Sequence, residues 1–304
     1  MVKLILSLDG GGVRGSVTAH FLAKLEEALG SPLSEVFDLF VGTSTGSIIA
    51  AALAAKKAPA IDTTRMYESA NVTKIFDKSI TDKILGVAQS EPKYNGKGKK
   101  AFLDNFFGSM TFDQAGTKKL AITAYDIERR CVYVISNRKP KCCTTSVADA
   151  CNASSAAPAY FPSVLVDGRW LIDGGIVANN PTMVAYAEAK NLWPDEELFI
   201  VSVGTGSRTV PLAGKKAAGW GGIQWLSNGL LDLAMDETVV EWQAKYILKN
   251  NYIRVNGPLG DVSEDMDETG QTNLNNLKRL GEQWFIDEGH KVLDIISNAR
   301  ALNK

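Results

Sequence analysis

Three stretches of this 304-residue sequence combine small residues with groups able to do chemistry. The first reads Gly42-Thr43-Ser44-Thr45-Gly46, a G-x-S-x-G pattern. Its two glycines let the chain turn sharply and keep bulk away from Ser44. A hydroxyl held on such a turn between a strand and a helix is a candidate nucleophile. The N-terminus of the following helix favours developing negative charge. A plain strand-to-helix turn with a capping serine uses the same residues.

The second stretch, Gly10-Gly11-Gly12-Val13-Arg14-Gly15, opens a helix after a short apolar strand. Consecutive glycines expose backbone N–H groups at close approach. Those amides suit an oxyanion hole, which meets the charge of a tetrahedral intermediate. They also fit G-x-G-x-x-G, a dinucleotide-binding turn, with Asp38 as its ribose partner and a nicotinamide-dependent oxidoreductase as the function. A tight turn without a ligand is the third reading. The last stretch is Leu171-Ile172-Asp173-Gly174-Gly175, where Asp173 is either a chemical group or a turn aspartate capping its own backbone.

A serine nucleophile needs a base. The sequence has two histidines, His20 and His290. Both fall within helical patterns, whereas the histidine of a Ser-His-Asp triad usually comes from a loop. If Ser44 is nucleophilic, a carboxylate must take its proton.

The elements that would position these groups alternate. Residues 4–8 form a near-continuous apolar run, as in a strand buried on both faces of a parallel sheet. A helix over 16–29 follows, ended by Gly30. A second strand over 36–41 then enters the Ser44 turn and an Ala-rich helix to about residue 55. Strand, helix, strand, helix is the opening of a layered α/β domain. Strands are expected over 120–125, 131–136, 198–203 and 252–255, and a helix over 146–155. Asp167-Gly168 between apolar runs reads as a hairpin turn. Asn180-Pro181 reads as an N-cap with proline at the first helical position. Residues 77–118 read as a lid-like insertion, 220–249 as largely helical and 273–302 as a terminal helix. No linker divides the chain, so one domain over 1–304 is expected, with its core at about 3–205 and a helical C-terminal part over 220–304.

The composition is that of a globular protein, 45% hydrophobic and 22% charged. A net charge of −1 gives no bulk attraction to a nucleic acid polymer. Cys131, Cys142, Cys143 and Cys151 lack C-x-x-C spacing, so neither a zinc site nor a disulfide scaffold is expected. The acidic run 261–268 does not match a calcium loop and reads as solvated. The start of the chain does not read as a signal peptide, and the apolar run 47–55 is about half the roughly 20 residues that span a bilayer. The expected location is cytoplasmic, with peripheral contact to membranes. Lys93, Lys97, Lys99 and Lys100 lie near Tyr94, Phe102, Phe106 and Phe107. They form either a basic-aromatic surface for anionic headgroups or a solvated loop followed by a helix packing its Phe residues inward.

Together, D-G-G-G-x-R-G, G-T-S-T-G and D-G-G in this order resemble the patatin-like phospholipase family of lipid acyl hydrolases. Ser155-Ala156-Ala157-Pro158-Ala159-Tyr160-Phe161-Pro162 resembles its S-A-A-P-x-Y-F-P segment, and Asp173 to Pro181 resembles D-G-G-x-x-x-N-N-P. The likeness is strong over about residues 3–205. Residues 139–143 and Asn152 have no family pattern to set beside them.

The resemblance implies a three-layer α/β/α fold with a central, mostly parallel sheet. It implies a Ser–Asp dyad without histidine, with Ser44 as nucleophile and Asp173 as base. It also implies an oxyanion hole from the amides of Gly11, Gly12 and Val13. Arg14 would add positive charge beside that hole or brace the loop, unless it is an ordinary helix-start arginine in a salt bridge. Gly10, Gly15, Gly42, Gly46, Gly174 and Gly175 are the motif glycines. The implied reaction cleaves the ester bond of an acyl lipid at a membrane or micelle surface through an acyl-enzyme, with no metal or cofactor. A regulatory ligand or partner remains open on these residues, as does a storage or interaction protein that kept the fold.

Overall fold

The computed structural model describes residues 1–77, 91–116, 118–207, 211, 212, 214–227, 230, 233, 235 and 237–303. Eight strands form one sheet: Val2–Leu8 (β1), Leu39–Thr43 (β2), Lys119–Asp126 (β3), Cys131–Ser136 (β4), Val164–Val166 (β5), Arg169–Asp173 (β6), Glu197–Val203 (β7) and Tyr252–Val255 (β8). Strands β3, β2, β1, β7 and β8 are parallel in that order. The antiparallel β4, β5 and β6 attach at the β3 end. The longer helices are Gly15–Leu29 (α1), Thr45–Ala54 (α2), Lys97–Phe107 (α3), Val147–Ser154 (α4), Thr182–Leu192 (α5), Thr238–Leu248 (α6) and Gln271–Ala301 (α7).

The apolar run at the start becomes β1 because both of its faces are covered. Leu4, Leu6 and Leu8 join one apolar cluster with Phe21 and Leu25 of α1, Ile49 and Leu53 of α2 and Leu277 of α7. Ile5 points the other way, into a cluster with Ala185 and Ala189 of α5 and Ala244 and Leu248 of α6. Period-two alternation of one strand between two helical layers defines the α/β/α sandwich. Each fully buried Leu or Phe side chain contributes about 1.5–3 kcal/mol. Gly30, at φ 62°, ends α1 in the left-handed conformation that a β-carbon disfavours.

Most expected elements form within a few residues of their expected bounds. Asp167 and Gly168, both at positive φ, close the β5–β6 hairpin in two residues. The start of α5 lies one residue beyond the expected one: Pro181 is the N-cap, and the Asn180 side chain accepts from the Thr182 N–H at 3.0 Å. A further boundary shifts as well. Val36 ends a helical turn, Leu33–Val36, and β2 begins only at Leu39. Within the expected insertion, residues 78–90 lie outside the described residues. So do parts of the stretch expected to be helical over 220–249, although Gly222–Ser227 and α6 are helical there.

The sheet register decides what meets the Ser44 turn. Strand β4 covers one edge of β3 from Ala121 to Asp126. Strands β2 and β6 must therefore share the opposite edge. There β2 pairs along Lys119 to Thr123, and β6 along Ala124 to Asp126 from the opposite direction. The two strands end against each other, one at Thr43 and the other at Asp173.

Candidate active site

Ser44 follows β2 directly and precedes α2. Its backbone sits at φ 53° and ψ −122°, a sparsely populated conformation for a residue with a β-carbon. Such a position costs about 1–3 kcal/mol and persists only where the surroundings hold it. Here Ser47 holds the Ser44 carbonyl through its N–H at 3.0 Å and its Oγ at 2.6 Å. On the other side, Ser154 Oγ accepts the Ser44 N–H at 2.9 Å. The flanking glycines are needed for close approach. A β-carbon on Gly46 would lie 2.3 Å from the Leu8 carbonyl oxygen, and one on Gly42 2.3 Å from that of Gly46.

Asp173 ends β6. Its N–H donates to the Ala156 carbonyl at 3.0 Å, and its Oδ1 accepts the Gly175 N–H at 2.7 Å. The Ser44 side chain lies beside the carboxylate, and the two line one cavity. Ser44 is 9% exposed and Asp173 4%. Burial lifts the Asp173 carboxyl to about 6, against the Gly175 N–H, the Ser44 hydroxyl and the charge of Lys99, which hold it down. The carboxylate is thus a stronger base than an ordinary aspartate, yet still mostly ionised at neutral pH.

The glycine loop lies across from Ser44. Among the described residues, the Gly11 and Gly12 amides have no protein acceptor. Val13 differs from expectation, because its N–H is already donated to the Met266 carbonyl at 2.9 Å. Gly12, at φ 59°, has no room for a side chain, since a β-carbon there would lie 2.1 Å from that same carbonyl oxygen. Arg14 braces the loop, with its Nε donating to the Gly11 carbonyl at 3.3 Å. Gly10 is fixed from both sides: its N–H donates to the Asn179 carbonyl at 3.1 Å, and its carbonyl accepts from Thr205 Oγ1 at 2.7 Å. The dinucleotide reading loses its geometry, because Met266 lies over Gly12 and the Asp38 carboxylate is engaged by the Leu4 N–H at 3.0 Å.

Beneath the loop, Asp9 is fully buried and meets Arg254 in a fork, Nη1 to Oδ1 at 2.9 Å and Nη2 to Oδ2 at 2.5 Å. Glu237 also pairs with Arg254. Desolvation alone would keep Asp9 protonated, and the guanidinium fork opposes it.

Neither histidine reaches this site. His20 is half-buried on α1, and desolvation together with the charge of Lys278 lowers it to about 4. His290 is exposed on α7. Ser44, Asp173 and the loop instead open into a cavity with an apolar wall that includes Ile48, Val72, Phe76, Leu103 and Phe161.

The basic-aromatic surface does not form as such. Lys93 pairs with Asp267 at 2.5 Å, Lys100 with Asp104 and Asp149, and Tyr94 is buried against Phe76 and Phe161. Lys99 is 3% exposed and lines the cavity. Its place could be read from helical spacing, because Lys99, Leu103 and Phe107 share one face of α3 and all three are buried. The acidic run is likewise not a plain solvated loop. Asp267 accepts from Lys93 and from the Tyr94 hydroxyl, each at 2.5 Å, and Met266 beside it closes on the glycine loop. Arg254, Met266 and Lys99 are the site residues that sequence reasoning missed.

A serine on a sharp strand-to-helix turn, an aspartate from the abutting strand end and a glycine loop thus lie together on an α/β/α sandwich. Residues 6–186 match the family model described as patatin-like phospholipase. Patatin-like protein 1 of Arabidopsis thaliana is 31% identical, covering 92% of this chain and 81% of its own length. The cGAMP-activated phospholipase of Pseudomonas aeruginosa is 30% identical, covering 91% of this chain and 86% of its own. The crystal structure of VipD from Legionella pneumophila shares the fold, with a TM-score of 0.51 at 14% identity over 92% of this chain and 67% of that one. The chain belongs to the patatin-like phospholipase family, whose activity is lipid acyl hydrolysis. Among the described residues, no helix is long and apolar enough to cross a membrane.

Proposed function

We propose that this protein hydrolyses carboxylic ester bonds of acyl lipids through a Ser44–Asp173 dyad and an acyl-enzyme intermediate. The observation that carries the reading is that Ser44, on its strained turn, and the buried Asp173 carboxylate meet at the abutting ends of β2 and β6 and line one cavity. Asp173 takes the hydroxyl proton as Ser44 Oγ attacks the ester carbonyl. Negative charge grows on the carbonyl oxygen, and the Gly11 and Gly12 amides, which have no acceptor among the described residues, are the proposed donors to it. Collapse of the intermediate breaks the C–O bond, and Asp173 returns the proton to the departing alcohol. Water, deprotonated by the same carboxylate, then attacks the acyl-enzyme; the bond from the acyl carbon to Ser44 Oγ breaks, Asp173 returns the proton to Ser44, and the fatty acid leaves. The apolar wall of the cavity suits the acyl chain of the substrate.

The test is labelling with a fluorophosphonate probe, followed by lipid analysis of vesicles incubated with the protein. Labelling of the wild type that is lost in Ser44→Ala, with free fatty acid appearing only with the wild type, supports the reading. Because a relative at 30% identity is cGAMP-activated, one arm of the assay carries a cyclic dinucleotide. Labelling that persists in Ser44→Ala removes the serine from the reaction. No labelling in either arm favours an interaction protein on this fold.

A further inference from the structure

The segment 152–156 holds both reacting residues by their backbones. Ser154 Oγ accepts the Ser44 N–H at 2.9 Å, and the Ala156 carbonyl accepts the Asp173 N–H at 3.0 Å. This segment is the C-terminal end of α4, where helix carbonyls run out of partners within the helix. A single buried cation caps it. Lys99 Nζ donates to the Asn152 carbonyl at 3.1 Å, the Ser155 carbonyl at 2.7 Å and Ser155 Oγ at 3.1 Å. The same nitrogen sits 4.1 Å from the centroid of the Phe161 ring. A lysine this deeply buried is rare unless it is paired, and these acceptors are all neutral. The charge that favours its ammonium form comes from Asp173, across the cavity they share.

We propose that Lys99 is a positioning residue for the hydrolytic pair: it caps α4, fixes the segment that seats Ser44 and Asp173, and its charge keeps the Asp173 carboxylate available as a proton acceptor. The proposal rests on the dyad reading given above. The influence is mutual. Burial drives Lys99 down to about 7 while Asp173 draws it back up, and Lys99 in turn lowers Asp173. Other titratable groups nearby are engaged or neutral. The Cys151 thiol of α4 is pushed up to about 12, and Tyr67 bonds Thr45. Lys93 and Tyr94 bond Asp267, and Lys100 is paired with Asp104 and Asp149.

The test is the pH profile of kcat/KM on a soluble fluorogenic ester for wild type, Lys99→Met and Lys99→Arg, with fluorophosphonate labelling of each and of Ser44→Ala. In Lys99→Met the acid limb should move up by about one pH unit, as expected when a nearby positive charge is lost. Its kcat should fall about 10²-fold, the scale of a small misplacement of reacting groups, with KM nearly unchanged. Lys99→Arg, permanently charged, should keep the acid limb of the wild type. Should Lys99→Met fail to fold, Lys99→Gln keeps amide donors for the carbonyls but no charge and must show the same displaced limb. An acid limb left in place in a folded, uncharged variant overturns the positioning role while labelling lost in Ser44→Ala leaves the dyad standing. Labelling that survives Ser44→Ala overturns both.

Discussion

Thr43 and Asp173 lie opposite consecutive residues of β3, Thr123 and Ala124, on the same edge of that strand. One arrives on a strand parallel to β3, the other on an antiparallel strand. Neither can extend further without running into the other. Ser44, one residue past Thr43, and the Asp173 side chain therefore share a boundary drawn by backbone hydrogen bonds. Thr43 Oγ1 reinforces it, bonding Thr123 Oγ1 at 2.5 Å and the Ala178 carbonyl at 2.7 Å.

If this boundary is the seat of the reaction, Ser44→Ala and Asp173→Asn should each lower kcat by at least about 10⁴-fold, the scale seen when a member of a nucleophile–base unit is removed. The double variant should be no worse than the poorer single one, since the two act as a unit. Initial rates on a fluorogenic ester measure this, with circular dichroism checking that each variant is folded.

The buried carboxylate also sets a pH dependence. Asp173 must be ionised to accept a proton, so kcat/KM should rise through about pH 6 and level off above it. Stability runs the opposite way. The folded state holds this proton more tightly than the unfolded chain, so the contribution of Asp173 to stability is lost as pH rises from about 4 to about 6. The cost of the buried charge above that window is on the order of 2–3 kcal/mol. Asp173→Asn should therefore melt above the wild type at about pH 8, the difference closing at about pH 4. Lys99 can shed its proton once its partner is gone, so it does not cancel the gain. Thermal scans at the two pH values decide the point.

Arg254 offers a test of the floor beneath the glycine loop. Its side chain is 4% exposed and meets Asp9, which has no exposure. Arg254→Ala leaves an uncompensated buried charge and should cost about 3–5 kcal/mol in urea unfolding. Adding Asp9→Asn should restore part of that loss, because the replacement carries no charge to strand.

Gly46→Ala tests the packing of the elbow. The added methyl would lie 2.3 Å from the Leu8 carbonyl oxygen, which is strand backbone and cannot swing aside. Overpacking of this kind costs about 1–3 kcal/mol. The elbow should shift with it, so activity should fall further than stability does. Comparing Tm with kcat for the same preparation checks this.

Much of the fold was legible in the sequence because local signals and burial agreed. The run at residues 4–8 is apolar on both faces and became a strand buried on both faces. Asp167-Gly168 had the turn chemistry of a two-residue hairpin and formed one. Ser44 and Asp173 stood out because each sits beside glycines at the end of an apolar strand. What escaped depends on contacts between distant segments. Lys99 shares a face of α3 with Leu103 and Phe107, which signals burial, but its acceptors show only once α3 is docked against the end of α4. Val13 looked available as a donor, but its acceptor is a carbonyl more than two hundred residues away. Asp267 reads as one more exposed acid until Lys93 and Tyr94 close on it. Patterns along a helix or strand cannot register bonds of that reach.

The bond from Val13 to the Met266 carbonyl has a consequence for synthesis on the ribosome. Ser44, Asp173 and the motif glycines have all been translated by residue 175, but the carbonyl that seats the turn comes some ninety residues later. A nascent chain paused between these points holds Ser44, Asp173 and the glycine loop and lacks the carbonyl that seats the loop. The loop is therefore seated late, when the last third of the polypeptide folds back over the first fifteen residues.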